Sequence, residues 1–438
     1  MSFLLDVVYV LACVLAAPWW LFRAATNGRF RRSLWERLGH VPDRAPGKRI
    51  WIHCASVGEL NAARTFIEAA RRRFPEHDCV ISTYTETGRE LARQRYGSAR
   101  VFLFPLDFSW AVSRVLRRVK PAVLVLVELE FWPNMLRAAR RCGRPVLVVN
   151  GRMEERSLRR WRRWRFLLKP VLDEAAPNLY CIQNPSYTER FRALGVPASR
   201  LRVTGTMKYD AVRADVPAAE CDKLRQAFGI APDAPVIIGG STWPGEEEAL
   251  LAAWRALRPK APGLRLVLAP RHIERADEVA RVIELAGFAC IRRSQPDAAR
   301  PADAVLLLDT LGELVAAYAL ASCAFVGKTL YVGGGHNVLE PAALGVPVLF
   351  GPLTQTCEAE AALLVERGAA RRVASREELA AALAELMLDP AAREAMGRRG
   401  RELIREHQGA TERNIAALGE ILASNTTTNI EHPTRNVE

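Results

Sequence analysis

Most of the motifs that announce a chemistry are missing from this chain. Its nine cysteines (13, 54, 79, 142, 181, 221, 290, 323, 357) are scattered and never stand as Cys-x-x-Cys. That excludes a zinc ribbon and a disulfide framework, and fits reduced thiols serving as small core residues. No Walker loop or nucleophile elbow occurs, and Gly333-Gly334-Gly335 does not follow the dinucleotide glycine spacing. His272 and His336 lack a third partner at ligand spacing, so neither a metal nor a cofactor is expected. No internal repeat is evident. Acidic residues are also short: 48 Asp and Glu against 62 Lys and Arg leave a formal charge of +14. Such an excess suits an anionic partner, whether nucleic acid, an acidic membrane or a phosphorylated substrate. Arginine supplies most of it and binds phosphate bidentately, although a compositional bias toward arginine produces the same excess.

Long apolar runs are nearly absent too. The exception is residues 3–22, twenty residues whose one charge is Asp6, with Trp19-Trp20 near the end. As a single helix this stretch is about 30 Å long, the thickness of a bilayer core. Arg23, Arg29, Arg31, Arg32 and Arg37 follow at once and keep the body on the cytoplasmic side. Residues 1–22 are therefore expected to form a membrane-anchor helix, or else a helix lying in the interface.

What the chain does have is alternation. Apolar runs at 50–53, 79–83, 101–105, 122–128, 145–150, 179–183 and 201–204 read as strands separated by amphipathic helices. The pattern resumes at 236–240, 265–269, 305–308, 323–326 and the run ahead of Gly351-Pro352. Helices over 376–388 and 393–422 follow. The fold class is α/β, with two Rossmann-like parallel-sheet domains at 23–207 and 208–423 facing a cleft. A polar tail over 424–438 is expected to be disordered.

In open α/β sheets ligands bind at the carboxyl ends of strands, and polar residues gather there. Glu59 follows the first strand after a Ser-Val-Gly turn. It can act as a general base on a sugar hydroxyl, or only cap the helix it begins. Glu128 and Glu130 flank Leu129, which favours an edge or loop over a buried strand. Lys208 sits at the join of the two halves, within reach of a phosphate or simply solvated. Arg271, behind Pro270 at a strand end, suits a phosphate or carboxylate. Gly333 to Gly335 bare the backbone ahead of a short helix, whose N-terminus suits a phosphate, with Glu340 placed for a ribose. Arg159-Arg160-Trp161-Arg162-Arg163-Trp164-Arg165 suits an anionic bilayer surface, nucleic acid, or a solvated helix with its tryptophans turned to the core.

Taken together, His53-Cys54-Ala55-Ser56-Val57-Gly58-Glu59, Glu128-Leu129-Glu130-Phe131-Trp132-Pro133-Asn134, Thr204-Gly205-Thr206-Met207-Lys208-Tyr209-Asp210, Ala269-Pro270-Arg271-His272, Asp309-Thr310-Leu311-Gly312-Glu313 and Gly334-Gly335-His336-Asn337-Val338-Leu339-Glu340 resemble the bacterial 3-deoxy-D-manno-octulosonic acid (Kdo) transferases. The resemblance runs from the N-terminal stretch to about residue 420. It implies the two-domain GT-B glycosyltransferase fold and metal-free, inverting transfer of Kdo from CMP-Kdo onto a lipid A precursor at the inner membrane. It further implies Glu59 as catalytic base and Glu130 and Lys208 as stabilisers of the transition state. Pro270, Arg271, Leu311, Gly312, Glu313, Asn337, Val338, Leu339 and Glu340 are implied to bind CMP. The expected partners are then CMP-Kdo, the lipid A precursor and the anionic membrane surface, not nucleic acid. One departure is Trp243-Pro244, in place of the His-Glu of enterobacterial members. The alternatives are a GT-B transferase using a UDP-sugar and a non-catalytic basic binding protein.

Overall fold

The computed structural model describes residues 2–42, 47–128, 131–163, 169, 171, 172, 177–295, 301 and 303–431. The chain forms two compact units, Met1–Ala211 with Gln408–Glu438, and Val212–His407.

The strands of the first unit are β1 (Lys48–Cys54), β2 (His77–Thr83), β3 (Val101–Leu103), β4 (Val123–Val127), β5 (Val146–Gly151), β6 (Leu179–Ile182) and β7 (Leu201–Val203). They pair in parallel in the order β3-β2-β1-β4-β5-β6-β7. Every side chain of β4, Val-Leu-Val-Leu-Val, is buried. A central parallel strand needs this, since helices cover both of its faces. Successive residues serve opposite layers: Trp51 packs with Phe102, Leu124 and Leu136, while Ile50 and Ile52 pack with Phe66, Val123 and Leu418.

Helices begin where the sequence supplies caps. Ser56 accepts from the N–H of Glu59, Thr85 from Gly88 and Asn184 from Tyr187. Among the described residues, the first helices in chain order are α1 (Ser2–Leu15), α2 (Ala17–Thr26), α3 (Gly28–Arg37), α4 (Val57–Ala62), α5 (Arg64–Arg73), α6 (Glu86–Tyr96), α7 (Ser109–Val119), α8 (Pro133–Arg141) and α9 (Glu155–Arg163).

Three expectations change here. The stretch 3–22 is not one helix: it breaks at Ala16, ahead of Pro18, and Leu5–Leu15 and Trp20–Thr26 meet at a bend of 66°. No single helix among the described residues is long and apolar enough to cross a membrane. The expected helix over 393–422 is two, Pro390–His407 and Ala410–Glu431. Gly409, at φ 90°, ends the first, and the Asp210 carboxylate accepts from the N–H groups of Gly409 and Thr411 to start the second. That last helix belongs to the first unit, not the second as the boundary at 423 assumed. Its Ile415, Leu418 and Leu422 complete the apolar layer under β1 and β4. It runs past 424 to Glu431, and residues 432–438 of the expected tail lie outside the described residues.

The second unit holds β8 (Val236–Thr242), β9 (Arg265–Pro270), β10 (Cys290–Arg292), β11 (Val305–Leu307), β12 (Cys323–Val326), β13 (Val348–Phe350) and β14 (Ala370–Arg372). These too are all parallel, in the order β10-β11-β9-β8-β12-β13-β14. Sequence periodicity missed β10 and β14. Each is a three-residue edge strand containing arginine, and pairing to a buried neighbour, not side-chain pattern, makes it a strand.

Candidate active site

The strand order of the first unit reverses between β1 and β4, and a crevice opens at the carboxyl ends of such a pair. Glu59 follows β1 there. Its Oε2 accepts from the N–H of Ala55 at 2.7 Å and its Oε1 from the Ser56 hydroxyl at 3.2 Å. The carboxylate therefore does cap α4, and the same bonds fix its orientation at the crevice. The Ala55 carbonyl in turn accepts from the N–H groups of Tyr84 and Thr85, tying the end of β2 to the same turn. Tyr84 stacks on Trp132 with ring centroids 5.6 Å apart, and the Arg37 guanidinium lies 4.5 Å over the Tyr84 ring. Beneath them His53, fully buried and stacked on Phe104, is driven down to about 3 by burial and stays neutral.

Among the described residues, four of the five non-glycine residues with positive φ lie at or just past strand ends: Glu128, Asn150, Ser241 and Lys328. The fifth, Lys120, is an ordinary left-handed C-cap of α7. These strained residues gather at one edge of each sheet, the edge at which open α/β folds bind ligands. Glu128 turns the chain out of β4 while its N–H donates to Val149. Glu130 lies outside the described residues. Asn150 is fully buried, and its Oδ1 accepts from the N–H of Met207. Arg413 donates to the Thr204 carbonyl at 2.8 Å, so the segment bearing Lys208 is held from both sides. Lys208 belongs to the first unit, one turn before its boundary at Ala211.

In the second unit the order reverses between β8 and β12. Glu246, fully buried, joins the two strand ends. Its Oε2 accepts from the N–H groups of Trp243 and Lys328, and its Oε1 from those of Thr329 and Leu330, all within 2.8–3.0 Å. Lys328 Nζ lies 4.8 Å over the Trp243 ring, whose other neighbour is His272 at 5.5 Å. Trp243 of the departing loop thus packs between the two. Exposed Arg271 continues β9, its N–H bonded to the Thr242 carbonyl, and Pro270 is buried. His336 is lowered to about 4, first by burial, then by Arg271, Lys328 and His272. The positive charge of Arg271 and Lys328 is thus felt at His336, while Lys328 and His272 both meet the Trp243 ring.

The glycine loop closes this edge. Gly334 donates to the Gln355 side chain and Gly335 to the Lys328 carbonyl. A Cβ on Gly334 would stand 3.1 Å from Lys328 Cε at a backbone φ of 131°. Asn337 Nδ2 donates to Glu340 Oε1 at 3.1 Å, and Asn337 Oδ1 accepts from the N–H of Leu339. Val338 and Leu339 bury their side chains, so they can meet a ligand only through the backbone. The helix that follows, Leu339–Ala343, has five residues and a correspondingly small dipole. Glu313 pairs with Arg293 at 2.9 Å and accepts from the Thr310 hydroxyl, which leaves Leu311, 78% exposed, and Gly312 at the tip. Among the described residues no group of three or more His, Cys, Asp or Glu could hold a metal ion.

Sequence reasoning did not single out Arg37, Tyr84, Glu246 or Lys328 for the site. Glu246 and Lys328 each follow a strand end, which was the available signal. Arg37 was read only as part of a positive run, and nothing local marks Tyr84.

A family profile described as 3-Deoxy-D-manno-octulosonic-acid transferase (kdotransferase) matches residues 32–211. The chain is 33% identical to the 3-deoxy-D-manno-octulosonic acid transferase of Haemophilus influenzae over 91% of its own length and 93% of the relative's. It is 34% identical to that of Bordetella pertussis over 94% and 98%. A solved glycosyltransferase from Rickettsia africae superposes with a TM-score of 0.55 at 10% identity, covering 86% of this chain and 99% of the other. That likeness shows the fold alone, the GT-B arrangement of two parallel-sheet domains. The sustained identity over nearly the whole chain goes further: it belongs to the 3-deoxy-D-manno-octulosonic acid transferases and is a glycosyltransferase.

Proposed function

We propose that this chain transfers Kdo from CMP-Kdo onto a hydroxyl of a lipid A precursor by a single inverting displacement, with Glu59 as general base. The observation that carries this reading is the Glu59 carboxylate, held by an N–H and a hydroxyl at the strand reversal of the first unit. Glu59 takes the proton as the acceptor oxygen attacks the anomeric carbon, and the bonding electrons leave with the CMP phosphate. Attack opposite the leaving group inverts that centre.

The departing phosphate is stabilised by Arg271 and Lys328, whose positive charge is felt at His336 and does the work a metal would otherwise do. Asn337 and Glu340, already bonded to one another, hold the ribose and base side, with Pro270, Leu311, Gly312, Glu313, Val338 and Leu339 lining it. Lys208 and Glu130 stabilise charge on the acceptor side. Arg37, over Tyr84, adds a cation suited to a phosphorylated acceptor. The apolar faces of α1 and α2, with the arginines of 23–37, keep the enzyme on the cytoplasmic surface of the inner membrane. Val14, Leu15, Leu21 and Phe22 are each more than 60% exposed there.

The test is transfer from CMP-Kdo to a detergent-dispersed lipid A precursor, read by mass of product. Glu59→Gln should lower kcat by about 100-fold or more while CMP affinity stays within twofold. A Glu59→Gln enzyme with most of its activity removes the base assignment, and turnover only with a UDP-sugar removes the donor.

A further inference from the structure

The N-terminal helix carries its polar side chains inward. Val7, Val10, Leu11 and Val14 of α1 are exposed, whereas Asp6 and Tyr9 face the first unit. Asp6 was expected at the edge of a membrane span; instead it makes the contacts of a helix cap. Its Oδ1 accepts from the N–H of Ser109 at 2.9 Å, and its other oxygen accepts from the Ser109 hydroxyl. The N-cap of α7 is Phe108, which offers no capping side chain, so Asp6 caps that helix from a hundred residues away. The N-cap of α8 is Trp132, which likewise cannot cap. There Asp107, 6% exposed, accepts from the N–H groups of Asn134 and Met135 at 3.0 and 2.9 Å. Asn134 closes the set: its Nδ2 donates to Asp6 Oδ1 at 3.0 Å and to the Asp107 carbonyl at 2.6 Å. Tyr9 adds a long bond to Asp107 and an edge contact with the Phe108 ring.

Asn134 ends the motif Glu128 to Asn134, and Trp132 within it stacks on Tyr84 at the crevice. α1 is thereby bonded to the base of the segment that the proposed function gives to the acceptor. We propose that Asp6 and Asp107 are positioning residues: α1, besides meeting the membrane, sets the geometry of residues 131–134, and transfer depends on that docking even for an acceptor in detergent. The proposal rests on the reading of this stretch as acceptor side. Undocking α1 uncaps α7 and takes one of the two acceptors from the Asn134 side chain, leaving the start of α8 held by Asp107 alone, which loosens the segment without touching the second unit.

The experiment uses the full chain carrying Asp6→Ala or Asp6→Asn. Asn at position 6 keeps the oxygen that serves both Ser109 and Asn134; Ala keeps none. For Asp6→Ala, kcat with detergent-dispersed acceptor should fall about tenfold, while CMP affinity and sedimentation with anionic vesicles stay at wild-type values. Asp6→Asn should recover most of that loss. Amide exchange at 131–136 should quicken in Asp6→Ala alone, a readout that needs no activity. If the wild-type protein transfers nothing from CMP-Kdo, the functional reading fails and the exchange result still decides the docking. Should Asp6→Ala not fold, Asn134→Ala cuts the same link from the other side and should show the same acceptor-specific loss. Wild-type kcat with unchanged exchange in the Ala variant overturns the proposal. So does a loss matched by lost CMP affinity or lost vesicle binding.

Discussion

Replacing Glu246 by glutamine changes one heavy atom and should loosen the loops at the carboxyl edge of the second sheet. Each carboxylate oxygen accepts from two backbone N–H groups, Thr329 and Leu330 on one, Trp243 and Lys328 on the other. A glutamine keeps one oxygen and turns an NH2 toward the other pair, so two donors lose their acceptor whichever way the amide points. A buried polar group left unpaired costs about 1–3 kcal/mol, which makes the pair worth roughly 2–6 kcal/mol. Burial raises the pKa of Glu246, against the pull of those four N–H groups, so the uncharged amide recovers part of the desolvation cost. A net loss of about 2–4 kcal/mol remains, enough to lower a urea midpoint clearly without unfolding a typical domain. The functional loss should exceed the stability loss. Lys328 is held at φ 61° by this carboxylate, and its ammonium over Trp243 is one of the two cations proposed to stabilise the departing phosphate. CMP affinity by calorimetry should therefore drop about tenfold or more. Glu248→Gln is the control: its carboxylate meets only the N–H of Gly245 in an exposed setting, and a change under about 1 kcal/mol is expected. If Glu246→Gln matched wild type in both midpoint and CMP affinity, the carboxylate would not be what holds this edge.

A Cβ added to Gly351 would stand 2.1 Å from the backbone oxygen of Thr329, which cannot yield, so Gly351→Ala should lower the thermal midpoint by several degrees. Asp210→Ala removes both acceptors from the start of Ala410–Glu431, a loss of about 1–2 kcal/mol, and should speed amide exchange across 204–211, around Lys208. Burial lifts Asp107 to about 7, ahead of the opposing N–H bonds from Asn134 and Met135 and the Tyr9 hydroxyl, with Asp6 lifting it further. Folding therefore favours its protonated form, so this group's contribution is full below about pH 4 and is lost as pH rises through about 7. The stability of wild type relative to Asp107→Asn should fall across that window and level off above it; a difference rising with pH would reverse the assignment.

Much of the fold was legible because it depends on local, periodic features. Most strands of both sets stand out as apolar runs between helices, and Ser56 and Thr85 are capping residues in plain residue chemistry, whereas the break at Gly409 was passed over. Glu59, Arg271 and the 333–340 loop are visible as candidates because they follow buried strands, where open α/β sheets bind ligands. The missed parts depend on distant partners. β10 and β14 are strands only because a neighbour pairs with them. The dual bonding of Glu246 needs β12 beside β8, a neighbourhood that no spacing in the chain reveals.

The sequence by itself determined two doubly wound sheets and the family, because burial pattern and short motifs are properties of consecutive residues. Tertiary structure alone decided three further matters. It gave the last helix to the first unit, where its apolar face meets an uncovered layer. It broke the N-terminal stretch ahead of Pro18, so that no single helix spans it. It also turned Asp6 from a charge at the margin of an apolar run into the cap of a helix a hundred residues away. Helix ends need acceptors wherever they can be found, and only the folded chain shows which carboxylate is within reach.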